Sequence, residues 1–431
     1  MELIIHCGDG KTGSSAIQTS LYNAREKLLK HHILYYADGP TGVHNYFVYL
    51  TDRRNRLPDY SKNRNIRKAH KIIRKIRRLS KKKNVKYVLL SSEFMFTFSK
   101  EHIDRIIDSF GIPFSRIHAI AYIRCPQSMY LSLMQQRIKA SHTLREPSGW
   151  TRNEVGHLRK WRDYVGNENL YVNLFDKRSL HSGCVVQDFQ ETLSKIVKEN
   201  ISVLESVMVN ESLSAEQMII LQEFRKDFLH DIDNTTHPRS NSLIAFFTKL
   251  NSKRVMNVTR PRLNQKTQNL LKPYISEMST VLDAEFGNLK FSSYCKQNLA
   301  ENETISSDTQ PTVNASNILE SWNDDIIQFL KSCIPLYNDR LKTEIDPEIL
   351  NNALILDRKA FFLIMSDYLY RESCYATAFE LEKIALANND YKKAKMLYLF
   401  ARNMKRRTVN TTRRIKKNII QSELLMKIIK I

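Results

Sequence analysis

Lys11 stands inside Gly8-Asp9-Gly10-Lys11-Thr12-Gly13-Ser14-Ser15, a run of three glycines, one lysine and three small hydroxyl residues among its eight positions. That mixture suits an anion. Free backbone N–H groups can turn toward one point, and the lysine adds a full positive charge. The run follows Leu3-Ile4-Ile5, which reads as a buried strand. It leads into Ala16-Ile17-Gln18-Thr19-Ser20-Leu21, which reads as the first turns of a helix whose positive end faces the same point. The spacing is not Gly-x-x-x-x-Gly-Lys-Ser/Thr, so the expected ligand is a phosphate, though not necessarily that of ATP.

A second charged element follows another apolar run. Ile117 to Ile123 reads as a strand and is followed by Arg124-Cys125-Pro126-Gln127-Ser128-Met129-Tyr130-Leu131-Ser132. Pro126 suits the first turn of a helix, where its missing N–H costs nothing. Arg124 then ends the strand and Ser132 lies two turns along the helix. A guanidinium and a hydroxyl so placed can converge on a second phosphate.

Together the two elements resemble the sulfotransferases that use 3′-phosphoadenosine-5′-phosphosulfate (PAPS). Gly10-Lys11-Thr12-Gly13-Ser14-Ser15 is similar to that family's 5′-phosphosulfate loop, often Pro-Lys-Thr/Ser-Gly-Thr-Thr. Arg124 and Ser132, eight apart, match its 3′-phosphate motif. Leu90-Ser91-Ser92-Glu93 and Asn173-Leu174-Phe175-Asp176-Lys177-Arg178, with Asp188-Phe189 beyond, also fit the bacterial, polysaccharide-modifying branch. The resemblance covers roughly residues 1–250. Gly10 replaces the usual proline and Ser14-Ser15 the usual threonines, which preserves small size and hydroxyls.

The resemblance implies a P-loop-type fold and sulfuryl transfer from PAPS to a hydroxyl of a glycan or glycolipid precursor, with no metal required. Lys11 is then the stabiliser of charge on the leaving phosphate, with donors from Thr12, Gly13, Ser14 and Ser15 around it. Two residues compete as general base. Glu93 ends a strand, and His44 lies in the loop Gly39-Pro40-Thr41-Gly42-Val43-His44-Asn45, where the bacterial branch often has a histidine. An imidazole is near its best pKa for this work at neutral pH.

These groups need a frame. Five short apolar segments read as strands: Leu3–His6, Ile33–Tyr36, Tyr87–Ser91, Ile117–Ile123 and Leu170–Phe175. Helical stretches separate them, which implies an α/β, three-layer parallel sheet with helices on both faces. Ligands of such sheets sit outside the carboxyl ends of the strands. Lys11, His44, Glu93 and Arg124 each follow a strand end.

The chain has 431 residues, 42% of them hydrophobic, and a formal net charge of +22. A sizeable core is expected, and anionic partners. Residues 53–86 read as a basic helix with Ile66, Ala69, Ile72, Ile73, Ile76 and Leu79 on one face. That helix is either a solvated surface or a groove for an anionic substrate. The six cysteines show no C-x-x-C pair, so neither a zinc site nor a disulfide framework is expected, and free thiols fit a reducing cytoplasm. The first residues carry no basic, apolar leader, and no window reaches the ~18–20 apolar residues of a membrane span. Both features favour a cytoplasmic location.

Three regions are expected: an α/β domain over 1–297, a linker over 298–317, and an all-α region over 318–431. A capping box near Ser212 or Ser214 opens a helix in the first of these. The basic tail, Lys405 to Ile431, is a candidate peripheral contact with the inner membrane, and equally a frayed cationic helix. Two other functions fit parts of the pattern. A P-loop small-molecule kinase is disfavoured by the loop spacing. A basic nucleic-acid-binding protein is disfavoured by the scarcity of aromatics within the basic runs.

Overall fold

A computed structural model of the chain describes residues 1–39, 41–51, 59–82, 84–207, 212–252, 256–295 and 313–333. Most of the expected all-α region over 318–431, its basic tail included, and most of the expected linker lie outside these residues. The described residues within Met1–Leu133, Pro147–Asn210 and Thr267–Thr304 form one unit. Those within Met134–Glu146, Glu211–Lys266 and Ile305–Ile431 form a second.

The first unit is built on β1 (Glu2–His6), α1 (Ser14–Asn23), α2 (Arg25–Lys30), β2 (Ile33–Leu34), α3 (Asp59–Lys82), β3 (Tyr87–Ser91), α4 (Lys100–Phe110) and β4 (Ile117–Ile123). It continues through α5 (Pro126–Ile138, which runs on past Leu133), α6 (Glu154–Val165), β5 (Leu170–Leu174) and α7 (Val185–Val197). The five strands are all parallel, in the order β2-β3-β1-β4-β5. Leu3, Ile4 and Ile5 are at most 2% exposed. A central strand covered on both faces needs such an unbroken apolar run. On one face Ile4, Leu89, Ile120 and Tyr122 pack with Ile17 and Leu21 of α1 and with Val186, Phe189 and Leu193 of α7. On the other, α6 lies along β4 and β5.

All five expected strands are present, two of them shortened. β2 stops at Leu34, and Tyr35 beyond it turns its hydroxyl to the Gly42 carbonyl. The basic helix is present as α3, with Ala69, Ile72, Ile73 and Ile76 buried. Arg53, Arg54, Arg56 and Lys83 of that expectation lie outside the described residues.

The second unit contains α8 (Ala215–Leu229), α9 (Pro238–Ser252), the N-terminal end of α10 (Gln265–Glu285), α12 (Ala315–Ile318) and α13 (Asp324–Cys333), while α11 (Phe291–Cys295) belongs to the first. Ser214 caps α8 with a capping box: its hydroxyl accepts from the Gln217 N–H at 3.2 Å, and the Gln217 side chain accepts from the Ser214 N–H at 3.0 Å. Arg225 is fully buried, donating to the Ala140 and Ile232 carbonyls at 2.7 and 2.6 Å and to the Ser240 hydroxyl at 2.9 Å. The described chain is thus divided differently from the expected 1–297 domain. Residues of 134–146 and 212–266 belong to the second unit, because burial and not sequence order decides which helices share a core.

The cysteine expectation is corrected. Cys125 and Cys295 form a disulfide across 170 residues of sequence, with Cα atoms 5.7 Å apart. Pairing between distant segments leaves no local spacing signal. Cys7 and Cys184 are free thiols.

Candidate active site

The strand order places the site. After β1 the chain moves toward β3 and β2, and after β4 it moves the other way to β5. The carboxyl ends of β1 and β4 are therefore the switch point, where open parallel sheets bind ligands. The glycine loop follows β1 and Arg124 follows β4.

The loop stays attached to β4 as it leaves the sheet. The Cys7 N–H donates to the Ile120 carbonyl at 2.9 Å and the Asp9 N–H to the Tyr122 carbonyl at 3.1 Å. Lys11 then takes a φ of 67° and Gly13 a φ of 81°. At Gly13 a Cβ would lie 2.8 Å from Phe175 and 2.9 Å from Val185, so only glycine fits. Gly13 occupies the N-cap of α1 with no side-chain cap and no acidic residue in the first turn. That helix end is left as an anion seat. Ser14, 4% exposed, aims a buried hydroxyl with no hydrogen-bond partner. Ser15 is exposed beside it.

Arg124 joins the two elements. Its Nη1 donates to the Lys11 carbonyl at 3.0 Å, its Nε to the Ser128 hydroxyl at 2.9 Å, and its guanidinium lies 5.4 Å from the Phe175 ring centre. The hydroxyl that meets Arg124 is thus that of Ser128. Ser132 stands one helical turn farther on the same face of α5, half-buried.

Two donors expected in the loop have internal partners. The Thr12 hydroxyl donates to the Asp9 carbonyl, and the Gly10 N–H donates to Asp9 Oδ1 at 2.7 Å. Asp9 itself is 3% exposed and pairs with Arg152 at 2.7 Å. Arg152 also faces Glu154 at 3.5 Å, and the Tyr274 hydroxyl donates to Glu154 at 2.5 Å. Burial pushes the Asp9 and Glu154 carboxyls above their ordinary values, and Arg152 pulls both back. This network fixes the loop from behind. Sequence reading missed it because Asp9 and Arg152 are 143 positions apart.

The two candidate bases differ sharply. His44 is fully buried. Its Nε2–H donates to the Tyr36 carbonyl at 2.8 Å and its Nδ1 accepts from the Ser91 N–H at 3.0 Å. Burial pulls its pKa down to about 4. With both nitrogens committed to backbone, His44 holds the end of β3 and has no lone pair left for an acceptor proton. Of the two residues expected as base, this geometry favours Glu93 over His44. Glu93 is half-buried and opens a 3₁₀ turn, Glu93–Thr97, directly after β3. The preceding Ser92 N–H donates to the His6 carbonyl at 3.0 Å, which holds Glu93 beside the end of β1.

His6, absent from the expected site, lies under the loop. It is 1% exposed, shares a hydrogen bond with the Ser91 hydroxyl at 2.8 Å, and burial pulls its pKa down to about 3. Its Nε2, the Thr12 hydroxyl and the Ser14 hydroxyl crowd Gly8 so closely that a Cβ there would meet them at 3.0, 3.2 and 3.4 Å. Asp188, noted for its place in the sequence pattern, ties α7 to the sheet by accepting from the Tyr122 hydroxyl at 2.7 Å.

No family model and no curated protein matches the chain. Among solved structures, a sulfotransferase domain from the Synechococcus PCC 7002 olefin synthase aligns with a TM-score of 0.24 and 13% identity, over 47% of this chain and 74% of that one. A similarity of that size adds no weight to the site, which rests on the chain's own geometry. Among the described residues no helix is long and apolar enough to cross a membrane.

Proposed function

We propose that this chain is a PAPS-dependent sulfotransferase acting on a hydroxyl of a glycan or glycolipid precursor. The observation that carries the reading is the bond from Arg124 to the Lys11 carbonyl across the switch point. It joins the glycine loop to the end of β4, which supports two adjacent anion seats of the kind that a nucleotide with phosphates at both ends of its ribose requires. The buried, unpartnered Ser14 hydroxyl at an uncapped helix N-terminus fits a phosphate group. The donor supplies an activated sulfuryl group on its 5′-phosphate.

In this reading Lys11, the N–H groups of Gly13, Ser14 and Ser15, and the Ser14 hydroxyl hold the 5′ end. Arg124, with Ser128 and Ser132, holds the 3′-phosphate. Glu93 accepts the acceptor's proton. Preorganised donors of this kind are typically worth ~10²–10³ each in rate.

Calorimetric titration with adenosine 3′,5′-bisphosphate and AMP tests the reading. The bisphosphate should bind more tightly, and Arg124→Ala should remove about 1.5–3 kcal/mol of that preference. AMP should weaken less, through the lost hold on the Lys11 carbonyl. Equal affinity for the two nucleotides would overturn the donor assignment, and a preference for ATP would favour a kinase.

A further inference from the structure

α3 carries a feature that the transfer reading leaves unused. Arg64, Arg67, Lys71, Arg74, Arg78 and Lys81 advance by three or four residues at each step, and so fall on one line along the helix. All six are exposed. The line lies opposite Ala69, Ile72, Ile73 and Ile76, which are buried. It runs about 25 Å with a cation every ~5 Å.

Such a row is unfavourable alone. Like charges three or four apart on a helix repel and destabilise it. Among the described residues one carboxylate answers the row, Asp38 at 3.5 Å from Lys71. A bound polyanion would turn the repulsion into attraction.

We propose that this row docks a linear acidic polysaccharide with about one acid group per sugar ring. We further assign that polymer as the acceptor, a step that rests on the transfer reading above. Three observations favour this occupant. One charge per ~5 Å suits a chain of acidic sugars, whereas duplex DNA carries one per ~1.7 Å. The row holds no aromatic residue on which single-stranded bases could stack. The apolar face that a membrane-surface helix would insert is buried in the protein's own core. The helix that carries the row is also linked, through its buried face, to the segment that holds the candidate base. α3 packs on the 3₁₀ turn Asn45–Leu50, and Asn45 accepts a hydrogen bond at 2.7 Å from Ser92, the neighbour of Glu93.

The test uses the full chain and labelled oligogalacturonate, followed by fluorescence anisotropy. Neutral dextran, phosphatidylglycerol vesicles and poly(U) serve as competitors at matched charge or mass. Arg67→Glu, Arg74→Glu and Arg78→Glu combined should weaken oligogalacturonate about tenfold or more and flatten its salt dependence. Adenosine 3′,5′-bisphosphate affinity should stay within about twofold, since these residues lie on another element. The milder pair Arg74→Gln and Arg78→Gln gives the same reading should the triple variant lose helicity. Unchanged oligogalacturonate affinity in a folded variant overturns the proposal, as does equal competition by dextran. Stronger competition by vesicles or poly(U) overturns it too and names a lipid surface or RNA instead. If oligogalacturonate depends on the row while the bisphosphate does not bind at all, docking stands and the transfer reading falls.

Discussion

Lys11 holds a left-handed backbone with φ of 67°, at a cost to an L-residue of about 1–2 kcal/mol. Backbone strain of this kind persists where the surroundings enforce it, often at functional sites. Lys11→Gly separates the backbone from the charge. Relief of strain and the extra chain entropy of glycine nearly cancel, so the stability read from urea melts should change by less than about 1 kcal/mol. Turnover should nevertheless fall by ~10²–10³. A folded variant that keeps transfer within tenfold would remove Lys11 from the role. Glu93 and His44 separate in the same way. Glu93→Gln should lower the rate by ~10²–10⁴ and abolish the acid limb of the pH profile. His44→Ala should keep that limb and instead cost about 2 kcal/mol of stability, because the Ser91 N–H loses its partner. The folded pKa of His44, about 4, lies below its ordinary 6.5. The unfolded chain therefore binds more protons between those values. His44's contribution is whole above pH 6.5 and declines as pH falls toward 4. Urea melts at pH 7 and pH 5 should show a smaller loss for His44→Ala than for the wild type.

At the scale of elements, the unit that matters is β1, the loop and α1, packed against β5 and α7. Gly13 touches both neighbours, since its absent Cβ would meet Phe175 just after β5 and Val185 at the start of α7. Gly13→Ala should combine a left-handed backbone penalty with overpacking, on the order of 3 kcal/mol, and should abolish bisphosphate binding. Gly10→Ala is the control, because a Cβ there meets nothing within 4 Å. It should leave the melting temperature within about 1 °C of wild type, as surface changes usually do. Equal melting temperatures and equal binding for the two variants would mean that the loop is not held in this geometry.

For the whole molecule, the disulfide sets a condition of stability. Cys125 follows Arg124 directly, and Cys295 ends α11. Replacing both by serine should lower stability by about 2–4 kcal/mol, read as a lower urea midpoint without reductant. With reductant the wild type should approach the variant. A wild type indifferent to reductant and equal to the variant would show that the bond does not form in solution. Disulfides persist where thiols are oxidised, so this bond removes the basis on which free cysteines pointed to a reducing compartment.

The strands and the loop were legible in the amino-acid sequence alone. Leu3 to Ile5 and Ile117 to Ile123 are apolar runs that local pattern can reveal, and Gly13 and Pro126 mark a helix start through their own backbone limits. Parallel strands with intervening helices followed from that alternation, and so did the placement of Lys11, Glu93 and Arg124 at strand ends. The partners of these residues follow from folding, which joins segments far apart in the chain. Asp9 meets Arg152, Cys125 meets Cys295, and Arg124 meets the Lys11 carbonyl, across 143, 170 and 113 positions. His44 shows the difference most plainly. Its residue type and loop suggested a base, yet burial and two backbone partners made it a fixed neutral strut. Sequence reports what a side chain can do, whereas its protonation and free lone pairs depend on which distant backbone groups the fold brings within about 3 Å.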